Sequence, residues 1–363
     1  QLLKKMGYEP SGQRRGLSNQ TRRLVETYVD QDRKAEIDWA DQAARAEQLK
    51  VLVEDVEATL DLALEQADDP EVRAFGWLLT KILGDDVVTD DDGDPQIGKG
   101  TASDRIISVT DPEMRHGRKS ASRRFDGFKN SVTTDVESEL ILDIRDVPAA
   151  GSDGAHLMPT LERVEAYAGV TVKRVIGDGA YGSGDNRAAC HDYPAHSVDL
   201  VSPMRRPHDP EVHKSAFEID LEHERATCPQ GHTATGKKRK DRQGEEVLRF
   251  VFDRSTCETC PLFHRCVRSK KAGRSVTTHR HETLLREARE RQETDAFKEL
   301  YRLRGRVEGK IAELVHHGLR QTRYLGEKKR QLQRLWTGAA VNLKRLFKLA
   351  EVKEVDVGAA FGA

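Results

Sequence analysis

Tyr301, Arg304 and Glu308 stand three and four residues apart in a segment whose sequence reads as helix. Steps of three, four and seven bring all three side chains to one helical face. A phenol, a guanidinium and a carboxylate make that face too polar for a core stripe. Residues 301–350 carry far more Lys and Arg than acidic residues, so Glu308 is a negative group held in a positive field. Such a group suits a metal ligand working on a phosphate backbone. Read by itself, the same spacing also describes an Arg–Glu pair one turn apart on a solvated helix.

A second carboxylate, Asp178, follows a strand-like stretch in Val175-Ile176-Gly177-Asp178-Gly179-Ala180-Tyr181-Gly182. A carboxylate just past the C-terminal end of a strand lies where α/β folds bind ligands. The flanking glycines let a substrate backbone approach closely. The same residue also fits a turn aspartate that caps the next helix. The loop lacks the Gly-Lys-Ser/Thr ending of a phosphate-cradling P-loop. Asp111, after the β-branched residues 106–110, is a third candidate, whereas Asp135 and Asp143 read as surface acids of a hairpin.

Four of the five cysteines form a second constellation: Cys228, the pair Cys257 and Cys260, and Cys266. Four thiolates with one Cys-x2-Cys pair can hold a tetrahedral zinc ion, with His232 and His264 as substitute ligands. The other reading is a set of reduced, unligated thiols. Cys190 stands apart and reads as core. Lys237-Lys238-Arg239-Lys240 fits either phosphate contact or a solvated loop.

The elements that must position these groups change character along the chain. Residues 17–83 read as helical, with Leu49, Val53, Val56, Leu60 and Leu64 as an apolar stripe. The acidic Gly/Asp run at 84–100 reads as a loop or linker. Residues 106–110 read as a short strand and 115–124 as a basic loop. Stretches 128–134 and 140–147 read as a hairpin. A helix over 154–168 starts from Asp153 as N-cap, a strand covers 170–176, a helix starts near Gly184, and a short strand covers 198–201. This order is that of a mixed α/β sheet. Residues 205–280 are loop-rich, with one strand at 247–252. Residues 282–350 are nearly all helix, interrupted around Gly318 and Gly326. There, Arg320, Arg323, Lys328, Lys329, Arg330 and Arg334 alternate with Leu325, Leu332, Leu335 and Trp336, which reads as a helix with a basic outer face. Phosphate contacts of that kind give affinity without sequence specificity.

The net charge of −1 conceals this split between an acidic first part and a basic last part. No apolar run reaches the ~20 residues of a membrane span, no secretory signal is visible, and the cysteine usage fits a cytosolic metal site better than a disulfide framework. The opening Leu2-Leu3-Lys4-Lys5-Met6-Gly7 reads as the last turns of a helix, so the sequence is expected to be a fragment.

Several pieces in order carry a resemblance: Thr110-Asp111-Pro112-Glu113, Gly127-Phe128-Lys129, Asp178-Gly179-Ala180-Tyr181, the Cys228-to-Cys266 segment, and Tyr301/Arg304/Glu308. Over about residues 105–350 the chain resembles DDE-type insertion-sequence transposases. The resemblance implies a ribonuclease-H-like core at 101–204, a cysteine-bearing zinc insertion at 205–280, and helices at 281–350 that complete the core. A helical region with an acidic linker at 1–100 precedes it and a tail at 351–363 follows. It implies metal-dependent DNA cleavage and strand transfer, two Mg²⁺ ions held by Asp178 and Glu308, and Tyr301 and Arg304 as DNA-facing support. It also implies a homodimer acting on element ends and target DNA in the cytoplasm, at the nucleoid. The first carboxylate of the triad is expected either upstream of Gln1 or at Asp111. Two departures stand out: no Asp-Ser/Thr-Thr motif occurs, and position 315, where some relatives carry lysine, is Val. A DNA-binding remnant without catalysis is the alternative.

Overall fold

The computed structural model describes residues 1–13, 15–30, 37–99, 104–120 and 122–352. They fall into two compact units, one of Gln1–Asn130, Asp146–Gly151 and Thr322–Gln333, the other of Ser131–Arg145, Ser152–Gln321 and Arg334–Ala363.

In the first unit, α1 (Leu2–Lys5) ends as expected at Gly7, whose φ of +87° lets the amides of Gly7 and Tyr8 return to the carbonyls of Lys4 and Leu3. Helix α2 (Asn19–Val25) is capped by Ser18 and runs into a π-helical turn, Glu26–Asp30. Helices α3 (Gln42–Leu64) and α4 (Pro70–Asp86) bury Leu24, Val25 and Val72 with α1 and α2. The stripe expected on α3 is rotated: Asp55, Ala58, Thr59 and Ala63 are buried, while Leu64 is 72 % exposed. Asp55 turns inward because Arg23 pairs with it and Tyr28 donates its hydroxyl to it at 2.8 Å. Burial, and then Asp55, push the Tyr28 phenol up to about 12.

The acidic run is not a linker. It forms an antiparallel hairpin of β1 (Val87–Thr89) and β2 (Pro95–Ile97). The Asp90 carboxylate accepts the amides of Asp92 and Asp94, and Gly93 completes the turn at φ +90°. Residues 106–110, expected as a strand, lie outside any strand, and the basic stretch expected as a loop begins with β3 (Arg115–Arg118). Gly117 of β3 lies under the Phe125 ring of its partner β4 (Arg124–Thr134), where only a residue without Cβ fits.

The expected hairpin is formed by β4 and β5 (Ile141–Pro148). Its turn is fastened by Asp135, which accepts from the Ser138 amide and hydroxyl at 2.7 and 2.6 Å. Ser152, not Asp153, caps the next helical segment, a 3₁₀ turn (Asp153–His156) leading into α5 (Leu157–Ala168). The strand expected at 170–176 shortens to β6 (Arg174–Ile176), because the Glu165 carboxylate takes the Val172 amide. Helix α6 (Gly184–His191) and β7 (Asp199–Val201) follow, and β6 and β7 pair in parallel. The mixed α/β class stands, but the strands divide among several sheets: β3-β4-β5 in one and β6-β7 in another.

The cysteine-bearing region holds more strand than its sequence signals. Strands β8 (Glu218–Asp220), β9 (Arg225–Thr227), β10 (Thr233–Lys240), β11 (Glu246–Val251) and β12 (Ser275–Thr277) form one antiparallel sheet in the order β12-β11-β10-β9-β8, around buried Phe250 and Ala226. Short helices α7 (Arg254–Glu258) and α8 (Phe263–Cys266) sit between β11 and β12. The last helices are α9 (Glu282–Gln292), α10 (Asp295–Arg302), α11 (Arg304–His316) and α12 (Glu327–Val352). Gly318 and Gly326, at φ +87° and +83°, make the expected break.

Helix α12 is inverted relative to the sequence reading. Arg330 and Arg334 are 1 % and 2 % exposed, whereas Leu332, Leu335 and Trp336 face solvent. In the first unit Arg330 is drawn inward by Asp111 at 2.7 Å, by Glu113, and by Asp146 at 3.4 Å, and its guanidinium lies 3.7 Å from the Phe128 ring centroid. In the second unit, Asn342 of α12 clasps β5: its Oδ1 accepts the Ile141 amide at 2.7 Å and its Nδ2 donates to the Ile141 carbonyl at 2.9 Å. Val341, Leu314 and Leu319 pack with Ile141 and Ile144 beside it.

Candidate functional site

Asp178 stands where the sequence placed it, just past β6. The Gly177 amide still donates to Val201 of β7, and the chain then turns toward α6. The Asp178 carboxylate is half-buried and accepts the Ala180 amide at 2.9 Å, while its carbonyl accepts the Ser202 hydroxyl at 2.6 Å. Two side chains of α6 strap the loop. Asn186 donates to the carbonyls of Gly154 and Tyr181, each at 3.0 Å, and Arg187 donates to those of Gly182 and Ser202. Arg187 has no carboxylate among these partners, and burial, then Arg291, lower its pKa. Burial, then Asp153 and Asp178, raise that of the Tyr181 phenol.

Gly154 has backbone against it. A Cβ there would meet the Ala180 carbonyl, so Gly154→Ala must shift the Asp178 loop. The substitution is expected to cost about 1–3 kcal/mol, measured by urea denaturation. A neutral result would show that the 152–154 turn yields instead.

Tyr301, Arg304 and Glu308 are brought together, though not on one uninterrupted helix. The chain passes from α10 to α11 at Leu303, which keeps right-handed helical angles (φ −61°, ψ −20°), so the face continues across the break. The Arg304 guanidinium lies 5.9 Å from the Tyr301 ring centroid and its Nη1 is 2.7 Å from Glu308 Oε1. Phe297 stacks beneath Tyr301. Glu308 remains exposed, and its ion pair with Arg304 is the turn-spaced one that the sequence also allowed.

One turn further on, Lys310 holds the Glu313 carboxyl down at about 2, against an opposing effect of burial and with help from Lys344. A depressed carboxylate pKa contributes stability that is complete above the unfolded value of about 4.3 and is lost as pH falls through the folded one. The stability gap between the parent and Glu313→Gln is therefore expected at pH 6, to shrink below pH 4 and to close near pH 2. A gap independent of pH would refute the pairing.

Among the described residues, no group of three or more His, Cys, Asp or Glu side chains is drawn together to hold a metal ion. Asp178 and Glu308 each bind within their own segments, and the Asp111 carboxylate is engaged by Arg330 in the first unit.

Cys228, Cys257, Cys260 and Cys266 are all free thiols lining one cavity of about 340 Å³, with Phe217, Phe252 and Arg274 on its wall. Two tight turns present them. Gly231, at φ +82°, lets the chain fold back so that its amide meets the Cys228 carbonyl, and the Cys228 amide meets the His232 carbonyl, both at 2.8 Å. On the other side Leu262 donates its amide to Cys260 Sγ at 3.4 Å. Burial raises the Cys266 thiol, Arg274 opposes that, and the other three thiols add to it. The donor chemistry suits a soft cation, although the four sulfurs are not gathered as a metal group. His232 also lines the cavity, while His264 packs edge-on against Phe263. Cys190 is core, as expected, its thiol pushed up to about 11 by burial.

Sequence reading missed the residues that strap the Asp178 loop and those that surround Arg330. Asn186 and Arg187 follow Asp178 closely, and a polar pair inside a short helix was their only signal. Asp146 had none, and Phe128 stood out only within Gly127-Phe128-Lys129, because Arg330 lies roughly 200 residues further along the chain.

No curated protein and no solved structure matches the chain. Among the described residues no helix is long and apolar enough to cross a membrane. Residues 227–347, which include the four cysteines and the Tyr301–Arg304–Glu308 face, match the family described as transposase DDE domain, and this match bears out the resemblance to DDE-type transposases.

Proposed function

We propose that the chain acts in DNA transposition, cleaving DNA at insertion-element ends and joining the freed 3′-hydroxyl to target DNA. The observation that carries this reading is the match over 227–347 together with the compact Tyr301–Arg304–Glu308 face inside it. Asp178 and Glu308 are the carboxylates offered to divalent metal, and Mg²⁺ bound there would supply a nucleophile and stabilise the leaving oxygen. Arg304 holds Glu308 in the absence of that ion and has the fork geometry for a DNA phosphate once the carboxylate is engaged elsewhere. Strand β10 offers the exposed Lys237, Arg239 and Lys240 for phosphate contact. Cys228, Cys257, Cys260 and Cys266 form the structural zinc site in this reading, and the ribonuclease-H-like core is its proposed scaffold.

The test is nicking of duplex DNA by the parent chain with Mg²⁺ and with EDTA. Mg²⁺-dependent nicking supports the reading. Salt-dependent binding without nicking supports the second one, a DNA-binding remnant, which the engagement of Asp111 by Arg330 favours. Absence of both defeats each. Zinc is tested separately: about one ion per chain is expected, with a thiolate-to-cobalt absorption band after exchange. Cys260→Ser is expected to weaken that band, and a metal-free parent with unchanged melting would remove zinc from the account.

A further inference from the structure

Strands β6 and β7 run parallel, so the segments that leave their C-terminal ends emerge at one edge of the sheet. The first is the Asp178 loop, and the second is Ser202-Pro203-Met204-Arg205-Arg206. The two are in contact. Ser202, almost wholly buried, donates its hydroxyl to the Asp178 carbonyl at 2.6 Å. A Cβ on Gly179 or Gly182 would lie 3.3 or 3.2 Å from the Pro203 carbonyl oxygen, so both glycines pack against the second segment. The Met204 amide donates to the Gln292 side chain at the end of α9 at 2.9 Å, and Arg187 Nη2 lies 3.6 Å from the Met204 sulfur. The backbone is therefore held up to the residue before Arg205.

Arg205 and Arg206 are exposed, and among the described residues neither guanidinium has an ion pair. The next acids along the chain do not neutralise them, because Asp209 and Glu211 are both taken by Arg265 at 2.7 Å. We propose that Arg205 and Arg206 grip DNA backbone phosphates at the sheet edge that carries Asp178, and so set the strand against that carboxylate. Chain length fixes the scale: Arg205 lies at most about 11 Å of backbone beyond Ser202, roughly three nucleotides along one strand. Each guanidinium has the fork that matches a phosphate. Two such contacts on a fixed segment hold a strand in register. The basic side chains of β10 belong to a different sheet and add affinity there. This inference rests on the proposed reading of the chain as acting on DNA at Asp178.

The experiment is fluorescence anisotropy of a labelled mixed-sequence duplex against salt concentration in EDTA, with Mg²⁺-dependent cleavage at saturating DNA read beside it. The proteins are the full parent chain, Arg205→Ala/Arg206→Ala and Arg205→Lys/Arg206→Lys, with circular dichroism and melting to verify the fold. In the alanine variant the slope of log affinity against log salt is expected to fall by about 2, and affinity at about 0.1 M salt by roughly 10-fold. The lysine variant keeps the slope. At saturating DNA the alanine variant is expected to cleave at least about 10-fold more slowly, because misplacement persists after binding is complete. Lysine, without the fork, restores only part of that rate. If the alanine variant misfolds, Arg205→Gln and Arg206→Gln carry the test singly, each with a slope change of about 1. A parent that binds DNA without cleaving it removes the catalytic reading alone, and the salt slope then decides on the two arginines. A parent that binds no DNA overturns both. An unchanged slope, or a lowered slope with cleavage at the parent's rate, overturns this inference and leaves the proposed function standing.

Discussion

Arg330→Ala is expected to destabilise the first unit by about 3–5 kcal/mol, the usual cost of removing one partner from a buried ion network. Arg330 is almost wholly buried, and Asp111, Glu113 and Asp146 converge on it while Phe128 covers its plane. Truncation leaves the Asp111 carboxylate, itself 3 % exposed, without its cation. One Asp111 oxygen already lacks a hydrogen-bond partner, so the remaining site has little to offer the charge. Arg330→Lys keeps the charge but loses the flat fork and the ring contact, and an intermediate loss is expected. Double substitution with Asp111→Asn should recover part of the cost if the two residues act through each other. Urea denaturation of the full chain reads all three. A loss under about 1 kcal/mol for Arg330→Ala, the size expected of an exposed pair, would remove the network from the fold's support.

The second large effect concerns chemistry. Asp178→Asn and Glu308→Gln keep shape and remove charge, and each is expected to lower Mg²⁺-dependent cleavage by at least about 1,000-fold if the carboxylates hold the metal. DNA affinity should change little, since phosphate contacts come from basic side chains. Asp178 accepts the Ala180 amide, which asparagine's oxygen can still do, so the loop survives the change. Glu308 is exposed and its substitution costs at most the surface pair with Arg304. Arg304→Ala separates the two roles of that guanidinium: reduced cleavage with weaker DNA binding indicates a phosphate contact, and unchanged behaviour indicates a surface pair only. Cleavage at the parent's rate in either carboxylate variant would sink the assignment.

Local features were the most legible in the sequence. The glycine stops at Gly7, Gly318 and Gly326, the hairpin of β4 and β5, the site of Asp178 beyond a strand and the shared face of Tyr301, Arg304 and Glu308 all follow from rules that act over a few residues. The failures have a common cause in long-range partners. Periodicity identified two faces on α12 but not which one turns inward, because Asp111, Glu113 and Asp146 decide that from far along the chain. On α3 the same happened when Arg23 and Tyr28 drew Asp55 inside. The acidic run at 85–94 has the composition of a linker, yet one aspartate side chain fastening its own backbone was enough to make a hairpin. The sheet of β8 to β12 was hidden because three of its strands are only three residues long.

The clasp of Asn342 on Ile141 has a consequence for solubility. A strand edge with a free amide and carbonyl is a template for another strand, and exposed edges of that kind recruit other chains. Asn342 presents one donor and one acceptor in the spacing of a peptide group and occupies that docking point on β5 with a side chain that cannot be extended further. The sheet therefore terminates on a helix. Asn342→Asp would keep the acceptor, lose the donor and leave the Ile141 carbonyl open, making the growth of fibrillar or amorphous aggregates, rather than loss of activity, the first sign of damage at that position.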